Sequence, residues 1–143
     1  MKRWFAAAGA MLLLTGCGAQ KVTESESLFI SLDEVTDTAT FYPVVVDGTD
    51  MEVLAIRDSS GNVRTAFNTC QSCYNSGNGR YEAEGTELVC QNCGQHFTAD
   101  SIGTVGFGCN PWPITDADVT RTDETIEITY GFLNSAKAIF ANW

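Results

Sequence analysis

Alternating apolar and polar residues, separated by turn-forming segments, run through most of the chain and predict a mainly β fold. Strands are predicted over residues 28–30, 39–46, 51–57, 63–67, 87–89 and 125–130. Pro43 cannot donate a ladder hydrogen bond, so we expect its strand to lie at an edge or to carry a bulge. Leu133, Ala136 and Phe140 have helical spacing, which predicts a short helix over Leu133–Trp143. These elements predict a small antiparallel β sandwich or barrel with a C-terminal helix.

The N-terminus follows a different pattern. Met1–Arg3 is positively charged, and Trp4–Leu14 is an apolar run that is too short to span a bilayer as a helix. Thr15 and Gly16 then precede Cys17, and this order of charged, apolar and small residues is typical of a secretory signal. A cysteine in that position resembles a bacterial lipoprotein signal, which implies that Cys17 is acylated. An ordinary signal peptide with a chance cysteine is the alternative.

The chain is therefore predicted to have three segments. Residues 1–16 are a lipoprotein signal peptide, residues 17–27 are a lipid-anchored linker, and residues 28–143 are a single four-cysteine metal-binding domain. The linker is small and polar, and no later stretch of sequence is long and apolar enough to cross a membrane. We expect an extracytoplasmic, membrane-anchored bacterial lipoprotein.

The composition narrows the range of functions. The chain has 18 Asp and Glu residues against 8 Lys and Arg residues, and a formal charge of −10. This balance argues against nucleic-acid binding, which needs basic residues to displace counterions from phosphates. His96 is the single histidine, and no general acid–base pair can be identified. We therefore expect an electron-transfer or metal-binding protein rather than an enzyme.

Four cysteines carry the clearest chemical signal. Cys70 and Cys73 form one Cys-x2-Cys pair, and Cys90 and Cys93 form a second pair after an intervening loop. The tight turn of each pair directs both sulfurs the same way, and the spacing is typical of four-cysteine metal sites. Soft thiolates select zinc or iron–sulfur clusters over magnesium or calcium. The spacing alone does not choose between zinc and iron–sulfur.

Paired cysteines also have uses that need no metal. In an exported protein they can form disulfides, and four cysteines allow three connectivities. A thioredoxin-like dithiol normally places one pair at a helix N-terminus in a βαβ setting, which the sequence pattern does not show. Covalent haem attachment is excluded, because Tyr74 and Gly94 stand where that motif requires histidine.

Four segments resemble the FtrD-like family of membrane-associated iron–sulfur proteins. They are Arg64–Cys73, Val89–Gly94, Ile102–Gly103 and Gly108–Pro113, the last with the order Gly-Cys-Asn-Pro-Trp-Pro. The resemblance covers roughly residues 28–143. It implies an iron–sulfur protein of a ferrous-iron uptake system, with an oxidase-type iron permease and associated periplasmic or surface proteins as partners. Many members carry several membrane-spanning helices, and this chain has a lipid anchor in their place.

The second cysteine pair has a weaker resemblance to Rieske domains. Cys90-x2-Cys93-Gly94, followed by Phe97 and Gly103, is similar to their second cluster loop, with Cys93 in the position of a histidine. This resemblance implies a fold that is Rieske-like in outline, with the centre held between two loops. Four thiolates would remove the effect by which the two histidines of a Rieske centre raise its potential.

Cys109 and His96 are possible accessory ligands. The alternatives are a small buried side chain for Cys109 and a hydrogen-bonded surface side chain for His96. We therefore predict an exported lipoprotein with one metal centre that serves electron transfer or metal handling. Two other functions stay open. One is a non-redox protein whose four-cysteine zinc site shapes a partner-binding surface, and the other is an extracytoplasmic thiol–disulfide or copper-handling protein.

Overall fold

The computed structural model describes residues 18–103 and 108–143, and strands predominate within them. The strands are β1 Gln20–Val22, β2 Ser27–Ser31, β3 Thr40–Val46, β4 Thr49–Arg57, β5 Val63–Cys70, β6 Tyr81–Glu84, β7 Glu87–Cys90, β8 His96–Thr98, β9 Pro111–Ile114, β10 Thr120–Arg121 and β11 Thr125–Thr129. The helices are α1 Tyr130–Ser135 and the 3-10 turns Tyr74–Ser76, Ala99–Ser101 and Lys137–Phe140. The predicted signal peptide and Cys17 lie outside the described residues.

A five-stranded sheet with the strand order β1-β3-β4-β5-β9 forms the centre of the protein. It is antiparallel except for the parallel pair β1 and β3. Two three-stranded sheets accompany it, β10-β11-β2 and β6-β7-β8. The predicted mainly β fold with antiparallel sheets and a short C-terminal helix is confirmed. In the described part of the chain, none of the sheets closes into a barrel.

The middle of β4 is buried on both faces, whereas alternation of apolar and polar residues is typical of a strand that is buried on one face. Val53 and Ala55 pack in one apolar cluster with residues of β2, β11 and the C-terminal helix. Leu54 and Ile56 pack in a second cluster with residues of β6 and β7. Because successive side chains of a strand point to opposite faces, these two clusters place one small sheet on each side of the central sheet.

The strand that contains Pro43 is not an edge strand, because β3 lies between β1 and β4, but Pro43 itself lies beyond the part of β3 that β1 covers. β1 pairs only with residues 44–46 of β3, so Pro43 has a hydrogen-bonded neighbour on one side alone, opposite Glu52 of β4. On the side away from β4, residue 43 therefore has no neighbouring strand that requires an N–H donor.

The C-terminal helix is shorter than predicted and begins earlier. Helix α1 starts at Tyr130, where the Thr129 hydroxyl accepts a hydrogen bond from the Phe132 N–H at 3.4 Å and so caps the first turn. A separate 3-10 turn, Lys137–Phe140, follows it. Leu133 and Phe140 are buried in the same apolar cluster, as their spacing predicted.

Five strands were not predicted, one of them the two-residue β10. β1 lies within the segment predicted to be a linker, where it pairs with β3. β6 and β8 flank β7 in one small sheet. β9 contains two prolines and pairs with β5, with an irregularity between Phe67 and Cys70. β9 and its irregular pairing place the chain segment that follows residue 108 beside the end of β5.

Candidate metal centre

Each Cys-x2-Cys pair occupies a tight turn at the end of a strand. Cys70 is the last residue of β5, and Cys90 is the last residue of β7. In the first turn, the Cys73 N–H donates to the Cys70 sulfur at 3.2 Å. In the second turn, the Gly94 N–H donates to the Cys90 carbonyl at 2.8 Å, with Gly94 at a φ of 73° that glycine adopts readily. The two turns therefore have the form that the sequence predicted.

The segment just before β6 holds the two turns together. The Gly79 carbonyl accepts a hydrogen bond from the Cys70 N–H at 2.7 Å, and the Arg80 carbonyl accepts one from the Gln91 N–H at 2.9 Å. A Cβ atom on Gly79 would lie 2.4 Å from the Cys73 carbonyl oxygen, so this close approach requires glycine. The carbonyls of two consecutive residues, Gly79 and Arg80, thus each accept a hydrogen bond from one of the two cysteine turns, although the turns belong to different sheets.

The cysteine sulfurs converge at this junction. Within the described residues they form two overlapping groups, in each of which all sulfurs lie within 4.8 Å of one another. The groups are Cys70, Cys73, Cys109 and Cys73, Cys90, Cys93. All five are free thiols, so the disulfide alternative has no counterpart in this structure.

Cys109 lies between the two pairs. Its sulfur is 3.3 Å from that of Cys93 and 3.7 Å from that of Cys73. Its side chain is half-buried rather than fully buried. Sulfurs bound to one tetrahedral ion through bonds of about 2.3 Å lie about 3.8 Å apart, so Cys109 stands at ligand distance from both pairs.

Hydrogen bonds from the first turn hold the Cys109 segment in place. The Ser72 hydroxyl donates to the Gly108 carbonyl at 2.6 Å, and the Gln71 N–H donates to the Asn110 carbonyl at 3.1 Å. These contacts join residues almost forty positions apart in the chain. The Gly-Cys-Asn-Pro segment was the sequence signal for Cys109.

His96 belongs to β8, and its Nδ1 atom lies 2.9 Å from the Glu87 carboxylate. Both side chains are about half exposed. Neither of the sulfur groups formed by the described residues includes the imidazole. A ligand role for His96 therefore stays a prediction.

Burial differs across the five cysteines. Cys70 and Cys90 are buried, Cys73 and Cys109 are half-buried, and Cys93 is exposed. The centre therefore has one side in the protein interior and one side at the surface. Solvent therefore reaches Cys93 without any opening of the fold.

The surroundings shift the thiol pKa values in opposite directions. Burial alone would raise the pKa of Cys70, but hydrogen bonds from the Tyr81 hydroxyl and the Cys73 N–H hold it below its ordinary value. Burial raises the pKa of Cys90 to about 12. Since metals bind the thiolate, metal binding must displace a proton from Cys90 at neutral pH.

Tyr81 supports the centre from the interior. Its side chain is buried, its hydroxyl donates to the Cys109 carbonyl, and its ring packs edge-on against Phe97 at 5.7 Å. Burial raises the pKa of Tyr81, and the hydrogen bond to Cys70 raises it further, so the hydroxyl keeps its proton and acts as a donor. One phenol therefore contacts two of the three segments that supply sulfur.

The donor set fits a soft metal. Thiolates select zinc, copper(I) and iron–sulfur clusters over hard cations. Backbone N–H donors that point at the sulfurs, such as that of Cys73, orient the thiolates and tune a bound metal. Cys70, Cys73, Cys90 and Cys93 would hold such a group, with Cys109 beside them, and an iron–sulfur cluster bound here would supply one-electron redox chemistry.

Comparison with known proteins gives two matches. The prokaryotic membrane lipoprotein lipid attachment site matches residues 1–17, which include Cys17. A family model described as membrane iron-sulfur containing protein FtrD-like matches residues 35–140. No curated protein and no solved structure matches the chain. The Rieske-like resemblance is therefore not supported.

The two matches also agree on where the protein resides. A lipid attachment site at the N-terminus and a membrane-associated family indicate a lipid-anchored extracytoplasmic protein. Among residues 18–103 and 108–143, no helix has the length and apolar character needed to cross a membrane. Since the family model spans most of the chain and all five converging cysteines, this lipoprotein belongs to the FtrD-like family of membrane iron–sulfur containing proteins.

Proposed function

We propose that this lipoprotein carries electrons through a cysteine-bound iron–sulfur centre in a ferrous-iron uptake system. The convergence of five sulfurs from three separate segments carries the proposal. Closely spaced thiolates are the donor set that soft metals select, and none of the five cysteines is joined to another in this structure. The family's description as iron–sulfur containing supports iron over other soft metals.

The placement of the centre suits electron transfer at a membrane surface. The exposed side at Cys93 gives a partner a short path to the sulfurs, while the buried side at Cys70 and Cys90 excludes water. Hydrogen-bond donors to the Cys70 sulfur, such as the Cys73 N–H, stabilise the negative charge that reduction adds to the centre and so set its reduction potential. The lipid anchor on Cys17 would keep this domain beside a membrane partner, for which we propose an oxidase-type iron permease.

The test begins with anaerobic purification of the full chain from its native membrane. We expect visible absorption bands that bleach on reduction and return on oxidation. Cys90→Ser should lose these bands, because removal of a ligand also removes metal-binding energy that stabilises the fold. Cys17→Ser is the matched control: it removes the acylation site but none of the converging sulfurs, so it should keep the bands.

The role in iron uptake needs a separate measurement. Cells that lack the protein should take up ferrous iron more slowly, and the wild-type chain should restore the rate while Cys90→Ser should not. A chain without a reversible redox signal would contradict the electron-transfer role. Full restoration by Cys90→Ser would contradict the requirement for the centre.

A single zinc ion is the second candidate. The sulfur–sulfur distances of 3.3 and 3.7 Å around Cys109 are close to the value of about 3.8 Å for four sulfurs around one tetrahedral ion. In that case the protein would be colourless, would contain one zinc per chain, and would use the site to join two loops for partner binding. Metal and sulfide analysis of native material separates the two candidates.

A further inference from the structure

A cavity at the opposite end of β5 from Cys70 is lined by three arginines. Its volume is about 530 Å³, within the range of roughly 300–1,000 Å³ that is usual for small-molecule sites. Arg57, Arg64 and Arg121 line it, and Asp116 is the one carboxylate among the described residues of the lining. Thr65, at its wall, is five residues from Cys70 along the strand, or roughly 16 Å at the rise of a β-strand. The cavity is therefore separate from the cysteine centre.

This concentration of positive charge runs against the composition of the protein. After Cys17, the sequence contains 6 basic residues and 18 acidic ones. Three of these six basic residues line this one cavity. In a chain with a threefold excess of acidic residues, a cavity with three guanidinium groups and one carboxylate is a local reversal of charge.

Intramolecular contacts leave this charge only partly neutralised. Arg57 donates to the carbonyls of Leu32, Val35 and Gly61 at 2.5–3.1 Å and has no ion pair with a carboxylate among the described residues. These carbonyl contacts fix the guanidinium without cancelling its charge. The position of Arg57 is thus set before any ligand arrives.

The other two arginines have carboxylate partners and spare donors. Arg64 uses its Nε to bind Asp58 at 2.7 Å, and neither of its terminal nitrogens has an acceptor within the described part of the chain. Arg121 binds Asp116 at 3.0 and 3.2 Å and donates to the Val63 carbonyl. A guanidinium has five N–H donors, so both side chains keep donors for a ligand.

We propose that this cavity binds a small anion that carries two or more carboxylate groups. Guanidinium groups pair with carboxylates through two parallel hydrogen bonds, and three separate guanidinium groups suit a ligand with several carboxylates. The cavity is several times larger than a single phosphate, which would leave most of it empty. This inference goes beyond the proposed electron-transfer function and does not depend on it.

The test is calorimetric titration of the metal-loaded full chain, in detergent, with tricarballylate, a tricarboxylate that chelates metals weakly. We expect saturable binding of one molecule per chain, weakened by salt, with acetate at equal ionic strength showing none. Arg64→Gln should raise the Kd about tenfold, since it removes a charge-assisted contact. Arg80→Gln, which removes the same charge outside the cavity, is the matched control and should leave the Kd unchanged.

Three results would overturn the proposal. They are the absence of saturable tricarballylate binding, an equal loss in Arg64→Gln and Arg80→Gln, and tighter binding of inorganic phosphate than of tricarballylate. Because Arg64 also holds Asp58, Arg121→Gln serves as a second variant if Arg64→Gln does not fold. Unchanged absorption of the metal centre during the titration shows that the ligand binds without removing the metal. The outcome is therefore independent of the proposed redox role.

Discussion

Gly79→Ala is expected to damage the junction between the two cysteine turns. An added Cβ would lie 2.4 Å from the Cys73 carbonyl oxygen, 2.6 Å from the Cys73 carbonyl carbon and 2.9 Å from the Tyr74 Cα atom. Ordinary contact begins at 3.4 Å, so the backbone of Cys73 or of residue 79 must move by about 1 Å. These atoms are main chain, and no side-chain rotation can relieve the contact.

The cost follows from two terms. Overpacking of this kind destabilises a fold by about 1–3 kcal/mol. The shift also weakens the hydrogen bond from the Cys70 N–H to the Gly79 carbonyl, at about 0.5–1.5 kcal/mol. Together they predict a loss of about 2–4 kcal/mol and a fall of about 1–2 M in the urea midpoint, with faster loss of bound metal.

Gly131→Ala is the matched control. Gly131 lies in helix α1, has no positive φ, and has no atom within 4 Å of an added Cβ. Alanine there should leave the urea midpoint unchanged or raise stability by about 0.5–1 kcal/mol. If Gly79→Ala matches the wild type in both urea midpoint and metal retention, then residue 79 does not hold the turns together.

Three further predictions follow from other contacts. Tyr81→Phe removes a hydrogen-bond donor beside Cys70 and Cys109, so the midpoint potential of the metal centre should fall. An unchanged midpoint potential in a redox titration would exclude tuning by this hydroxyl. Burial opposes ionisation of Asp58, but its hydrogen bonds to Arg64 and to the backbone N–H groups of the turn hold its pKa below the unfolded value of about 4. The ionised carboxylate therefore stabilises the fold above that pH, and this stabilisation is lost on acidification. Urea midpoints between pH 6 and 3 should therefore fall more steeply for the wild type than for Asp58→Asn, and equal slopes would contradict this. Leu54→Ala, in the apolar cluster beneath the cysteines, should cost about 2–5 kcal/mol in urea unfolding, whereas an effect within 0.5 kcal/mol would show that the site repacks fully.

The longer strands were predictable because their side chains follow a simple period. β2, β3, β4, β5 and β11 each contain a clear apolar run, and the structure places a strand at every one. β6 was missed because two of its four residues are glutamates, and β9 because two of its four are prolines. Their pairing is set by the strands beside them rather than by their own residues.

The metal centre was predictable in part. The spacing of Cys70, Cys73, Cys90 and Cys93 indicated that four sulfurs can meet. In the structure Cys73, Cys90 and Cys93 form one group, and Cys70 joins it through an overlapping group that it shares with Cys73 and Cys109. The position of Cys109 between the pairs depends on hydrogen bonds from the first turn to a segment almost forty residues later. Contacts between residues so far apart in the chain leave no local pattern of residues that a single sequence could reveal. The arginine cavity was invisible for the same reason, since its three basic residues are widely separated along the chain.

The central claim is that these cysteines hold one metal centre through their sulfurs. X-ray absorption of the anaerobically purified full chain measures the atoms around the metal directly. The account predicts sulfur neighbours at about 2.3 Å, with the metal lost in Cys73→Ser, the variant that removes the sulfur shared by both groups. A metal surrounded only by oxygen or nitrogen, or a metal-free chain with its cysteines joined as disulfides, would contradict it.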